Sequence, residues 1–100
     1  MSKDERKKNL LNPIDLAVAL RYDGTSAPKV LARGRGETAE NILSVAEAHE
    51  IPLHADPELA KVLSHVPVGE EIPRELYVAV AEVLAFAYWL SGKNGPANNP

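Results

Sequence analysis

The hydrophobic pattern changes period at Gly34 and Gly36, and this limits the chain to a fold in which short strands come first and helices follow. Before Gly34 the apolar residues sit in compact runs, IDLAVALRY (Ile14 to Tyr22) and KVLAR (Lys29 to Arg33). Short runs of this kind bounded by turn residues read as strands. Asp23-Gly24 ends the first and Ala27-Pro28 introduces the second, so the link fits a hairpin loop. From Glu37 onward, Ala39, Ile42, Val45, Ala46 and His49 recur on one face of an amphipathic helix over 37 to 50. Glu37 and Glu40 fall in its first turn, where carboxylates complement the helix dipole.

Ile51 to His54, IPLH, reads as a brief strand after that helix, and a strand, helix and strand in this order give a parallel, right-handed crossover. Pro57 opens a short helix, 57 to 65, with Leu59, Val62, Leu63 and Val66 on one face, and Pro67 to Gly69 closes it. Pro73 begins the longest helix, 73 to 91, whose stripe of Leu76, Tyr77, Val80, Val83, Leu84, Ala87 and Leu90 should lie across the sheet. Gly92 is the expected stop. The fold expected is α/β, a small mixed β-sheet of about three or four strands flanked by about three or four helices. Residues 1–11 form a polar segment, 12–91 the domain, and 92–100 a tail with nothing apolar enough to bury.

One hundred residues give one compact domain, too small for two lobes closing over a buried substrate. With 45% hydrophobic and 25% charged residues the chain belongs to the globular class, so it should fold. A net charge of −3 offers no general attraction to nucleic acid or to anionic lipid. The basic start, Lys3, Arg6, Lys7 and Lys8, is diluted by Asp4 and Glu5 and reads as a solvated segment. It has no apolar core of a signal peptide. Val78 to Leu90 is interrupted by Glu82 and falls short of the ~20 residues a membrane span requires, so the chain is expected to be soluble. The absence of cysteine removes disulfides and thiolate metal sites.

Gly34-Arg35-Gly36-Glu37-Thr38-Ala39 matches the G-x-G-x-x-A dinucleotide fingerprint, and Asp56 follows about where a ribose-binding acid would stand. Against that reading, Glu37 would place a carboxylate beside the phosphates, and the second half of a dinucleotide fold is missing. The competing reading makes Gly34 and Gly36 a tight strand-to-helix turn. His49, His54 and His65 lack the H-x-x-x-H spacing of a zinc pair, so no metal and no cofactor are expected.

Several segments in order resemble the cytoplasmic domain of the FlhB/YscU family, the substrate-switch proteins of flagellar and type III secretion export. They are Asn12-Pro13, LAVALRYD (Leu16 to Asp23), APKVLARG (Ala27 to Gly34), EIPLHADPELAKVL (Glu50 to Leu63) and VGEEIPRELYVAVAEVLAFAYWL (Val68 to Leu90). The family pairs an N-P-T-H-Y-A-V-A-L start with an A-P-K-V strand and an I-P-E-E-L-Y-x-A-V-A-E-V-L-A ending. Its members carry transmembrane helices ahead of this domain and cleave themselves between the Asn and Pro of N-P-T-H. The Asn side-chain amide attacks its own carbonyl carbon, forming a succinimide and releasing the proline nitrogen.

This chain keeps Asn12 and Pro13 but has Ile14 and Asp15 in place of Thr and His. Aspartate lacks the imidazole's shape and its dual donor and acceptor capacity, so efficient cleavage is expected to be lost and no catalytic residue remains. A second reading keeps the chain an autoprocessing protein that still cuts at Asn12-Pro13; the plainest makes that pair a turn before the first strand. Upstream, the family has an apolar D-V-I-V-T strand where this chain has DERKKNLL, so a sheet position is expected to be vacant, covered by a helix, or open to a strand from another chain.

The resemblance also implies a small apolar patch that recognises export substrates, which by position is Ala27, Pro28, Ala60 and Leu63, with Leu59 nearby. Those residues would seat a short hydrophobic peptide, or else Ala60 and Leu63 only pack their helix onto the sheet. The expected function is therefore that of a free-standing, non-enzymatic relative of the export-switch domain. It would be cytoplasmic and peripheral at the inner-membrane export gate, with export substrates and gate components as partners, without nucleic acid and without membrane insertion.

Overall fold

The computed structural model describes residues 15–93, and the side chains of residues 15–90. Strands β1 (Leu16–Arg21) and β2 (Lys29–Arg35) lead into helices α1 (Glu37–Ala48), α2 (Pro57–Leu63) and α3 (Tyr77–Lys93), the last preceded by a 3₁₀ turn, Arg74–Leu76. The two strands pair antiparallel as the hairpin expected, with Leu16 opposite Arg35 and Arg21 opposite Lys29. The register shifts after Ala19, where Leu31 is the extra residue of a β-bulge. Leu31 is exposed while its neighbour Val30 is fully buried.

The hairpin has two unlike faces. Val18, Leu20 and Val30 join the main core, which Leu63, Val66, Ile72 and Val80 complete and Leu59, Leu76 and Leu84 flank. Full burial of a valine contributes roughly 1.5–3 kcal/mol, so Val30 and Val80 are its principal anchors. On the other face the buried positions are small, Ala17, Ala39 and Ala46, and α1 packs along both strands. Gly34 belongs to this close approach, because a Cβ there would run into the Thr38 side chain. Gly36 holds the turn into α1 at φ 55°, a left-handed value that side chains resist. Its N–H donates to the Asp15 carbonyl at 3.1 Å, tying the start of β1 to the end of β2.

The expected strand at IPLH is corrected by the structure: residues 51–54 are irregular, and among the described residues the sheet has two strands rather than a mixed three or four. The cause is local. α1 ends in a Schellman turn in which Ile51 N–H donates to the Ala46 carbonyl at 2.8 Å and Glu50 N–H to that of Glu47 at 3.1 Å, with Glu50 at φ 58°. Ile51 has thus given its donor to the helix and Pro52 has none, which removes two consecutive rungs of any ladder. The parallel crossover is overturned with it.

The second edge of β2 is covered instead by a strap, residues 69–72, which runs antiparallel to it. Ile72 N–H donates to the Pro28 carbonyl at 2.9 Å, Gly69 N–H to that of Val30 at 2.7 Å, and Val30 N–H to that of Glu70 at 3.0 Å. Helix limits also differ from expectation: α1 and α2 stop at Ala48 and Leu63, and α3 runs through Gly92 to Lys93. None of the helices among the described residues is long and apolar enough to cross a membrane.

Candidate protein-binding site

The loop from β1 to β2 is shaped by Asp23. One carboxylate oxygen accepts from Thr25 N–H and Thr25 Oγ1, both at 2.9 Å, and from Ser26 N–H at 3.3 Å. These bonds, led by the Thr25 backbone, lower the Asp23 pKa to about 2. The loop delivers Ala27, half-buried, and Pro28, buried, to the side of the domain facing α3. Ile72 N–H fixes the Pro28 carbonyl from the strap.

Between this loop and α3 lies an open, mainly apolar groove of about 850 Å³. Tyr22, Ala27, Pro28, Pro52, Tyr77 and Tyr88 stand on its walls, and Leu20, Ile72 and Leu84 continue it into the core. Tyr22, Tyr77 and Tyr88 are all exposed, the last by 75%. Tyrosine on an open apolar wall brings contact area together with a polar tip, a combination common in protein recognition.

Of the patch read from sequence, Ala27 and Pro28 line this groove. Leu63 is buried in the main core, Leu59 packs against it, and Ala60 is half-buried on α2. The groove and the α2 leucines meet through Ile72. The sequence reading missed Tyr22, Pro52 and Tyr88; it counted Tyr77 as core, whereas 43% of it is exposed. Asn12, Pro13 and Ile14 of the cleavage motif lie outside the described residues, as do the DERKKNLL segment and residues 94–100 of the tail. Asp15 is described, and its exposed carboxylate pairs with Arg35 at 3.3 Å.

The glycine fingerprint has a structural use at each defining position. Gly34 clears Thr38, Gly36 makes the turn, and Ala39 is fully buried on the inner face of α1. Asp56, the supposed ribose ligand, is the N-cap of α2 and accepts from Leu59 N–H at 3.1 Å. Among the described residues no three His, Asp or Glu side chains gather where they would hold a metal ion.

An antiparallel hairpin packed by helices on both faces, with an open apolar groove beside its loop, defines a small α/β domain with a peptide-sized recess. The family described as "FlhB HrpN YscU SpaS Family" matches residues 10–87. The chain belongs to that family. It is 48% identical over 95 residues to the flagellar biosynthetic protein FlhB of Yersinia enterocolitica, a match covering 90% of this chain and 25% of the relative. It thus spans about a quarter of the FlhB proteins it matches. It is also 41% identical over 80 residues to the uncharacterized protein YlqH of Bacillus subtilis, covering 78% of this chain and 86% of that one. Among solved structures it resembles the cytoplasmic domain of FlhB from Shewanella putrefaciens, with TM-score 0.72, 36% identity and coverage of 76% and 64% respectively. It is similar as well to the PscU C-terminal domain, with TM-score 0.68, 32% identity and coverage of 74% and 98%.

Proposed function

We propose that the chain is a non-enzymatic, protein-binding component of a flagellar or type III export apparatus, acting as a relative of the substrate-specificity switch domain. The observation that carries this reading is the placement of the family's Ala-Pro pair, Ala27 and Pro28, on the wall of an open apolar groove in a chain whose residues 10–87 match the family. Export substrates and gate components are the partners, with a short apolar segment entering the groove. The chain works on the cytoplasmic side, peripheral to the export gate.

Cleavage at Asn12-Pro13 is absent in this proposal. Asp15, where the resembled motif has histidine, is an acceptor-only group when ionised, and its carboxylate faces the Arg35 guanidinium. Intact-mass measurement after prolonged incubation decides the point: an unchanged mass is expected, and loss of the segment ending at Asn12 would make the chain an autoprocessing protein. For binding, the immobilised chain should retain purified export substrates or gate proteins of a flagellated host, and Pro28→Asp should release them. Retention unaffected by Pro28→Asp would move the site elsewhere, and no retention of any component would sink the assignment.

A further inference from the structure

Helix α3 is apolar on nearly every side, yet the domain meets only its Val80 side and, through the His54 ring 5.8 Å from that of Phe86, one flank. Val80 is fully buried, and Leu84, with Leu76 of the preceding 3₁₀ turn, packs on the core. On the opposite side Val78, Glu82, Ala85 and Trp89 follow one another at steps of four, three and four, all of them exposed, Val78 by 73% and Trp89 by 57%. Steps of this kind draw a straight seam along a helix, here about 16 Å long, and it is the seam by which two helices pack. Ala85 in its middle lets a second helix axis come close. Glu82 is the sole formal charge between Tyr77 and Leu90. Its carboxylate has no ion pair or hydrogen bond among the described residues.

We infer that the outer face of α3 is a docking surface for an amphipathic helix of another protein that carries a lysine or arginine at the centre of its own apolar seam. The lone carboxylate makes the choice of occupant. A second copy of this chain, packed seam to seam, would bring two Glu82 carboxylates together on a drying surface, which is unfavourable. An anionic lipid surface would meet that carboxylate with no Lys or Arg between Tyr77 and Leu90 to offset it. A basic residue on a partner helix satisfies Glu82 while the partner's apolar residues cover Val78 and Trp89. This surface excludes Ala27 and Pro28 and shares only Ala85 with the lining of the groove, so changes at Val78 and Glu82 test it apart from the function proposed above.

Trp89 is the chain's one tryptophan, so its emission reports directly on this face. The probes are two synthetic amphipathic helical peptides of about 20 residues, identical except for Lys or Glu at the centre of a leucine seam. The Lys peptide should shift the emission to the blue and bind about tenfold more tightly than the Glu peptide, and Glu82→Lys should reverse that order. Val78→Asp, distant from the reporter, should weaken both peptides while far-UV circular dichroism stays unchanged. Equal affinity for the two peptides, no reversal in Glu82→Lys, or no binding of either would overturn the inference. Self-association of the unaltered chain through this face would overturn it in favour of a second copy. A blue shift with phosphatidylglycerol vesicles but with neither peptide would overturn it in favour of lipid.

Discussion

Helices α1 and α3 pack on the same small hairpin and differ in how completely the domain accounts for them. α1 turns Ala39 and Ala46 inward and shows water Glu37, Asn41, Ser44 and Glu47, so its sequence and its surroundings agree except at Val45, which was expected on the inner face and is exposed. α3 turns Val80 inward and shows water Val78, Phe86 and Tyr88 with the single charge of Glu82. The first helix is finished by the sheet. The second is anchored by it and leaves a broad apolar surface exposed among the described residues.

The sharpest test of this contrast sets the two sides of α3 against each other. Val80→Ala should lower unfolding free energy by about 2–3 kcal/mol in chemical denaturation, because the neighbouring core cannot fully close the space. Val78→Ala should change it by less than about 0.5 kcal/mol. Equal losses would mean that α3 is covered on both sides and would break the comparison. For α1, Gly34→Ala should cost about 1–2 kcal/mol by pressing a methyl group into Thr38, and adding Thr38→Ala should recover part of the loss by removing Cγ2, while the remaining Cβ keeps the rest. A loss that Thr38→Ala leaves untouched would show that the helix is not seated on Gly34.

At the far end of α1 the expected effect is smaller and of opposite sign. Glu50→Gly relieves a side chain held at φ 58° and should raise the thermal midpoint, by about 0.5 kcal/mol of stability. The smallest effect belongs to the loop facing α3. Asp23 has its pKa lowered to about 2, so the stability it contributes is complete above the ordinary carboxylate range and is lost as pH falls toward 2. A carboxyl titration followed by NMR should place Asp23 near 2, and Thr25→Ala should move it up. An unshifted Asp23 would mean that the loop is not held in the observed turn.

Most of the hairpin and all three helices were legible because each has its own period, and Val80 and Leu84, with Leu76 of the preceding 3₁₀ turn, were readable as the inner stripe of the last helix. The bulge at Leu31 was not, since an extra residue in a short apolar run leaves the run's composition unchanged. IPLH misled because its apolar residues suit a strand, while the Schellman turn that takes the Ile51 donor is set by Glu50 adopting a conformation usually left to glycine. The strap was hidden for a different reason. In VGEEI only Ile72 is buried, so the segment shows no alternation, and its pairing comes from backbone bonds alone. The groove was half legible: the resemblance pointed to Ala27 and Pro28, whereas Tyr22, Pro52 and Tyr88 reach it from three separate places in the chain.

The strap also sets an order of events. The β1–β2 hairpin closes over a loop of a few residues, but residues 69–72 meet β2 only after some forty intervening positions have been ordered, a closure that is entropically costly and slow. Ile72 is at once the residue that holds the Pro28 carbonyl and part of the groove's floor. The recess is therefore no property of the hairpin alone: its walls and floor come together only when the strap and α3 have closed on β2.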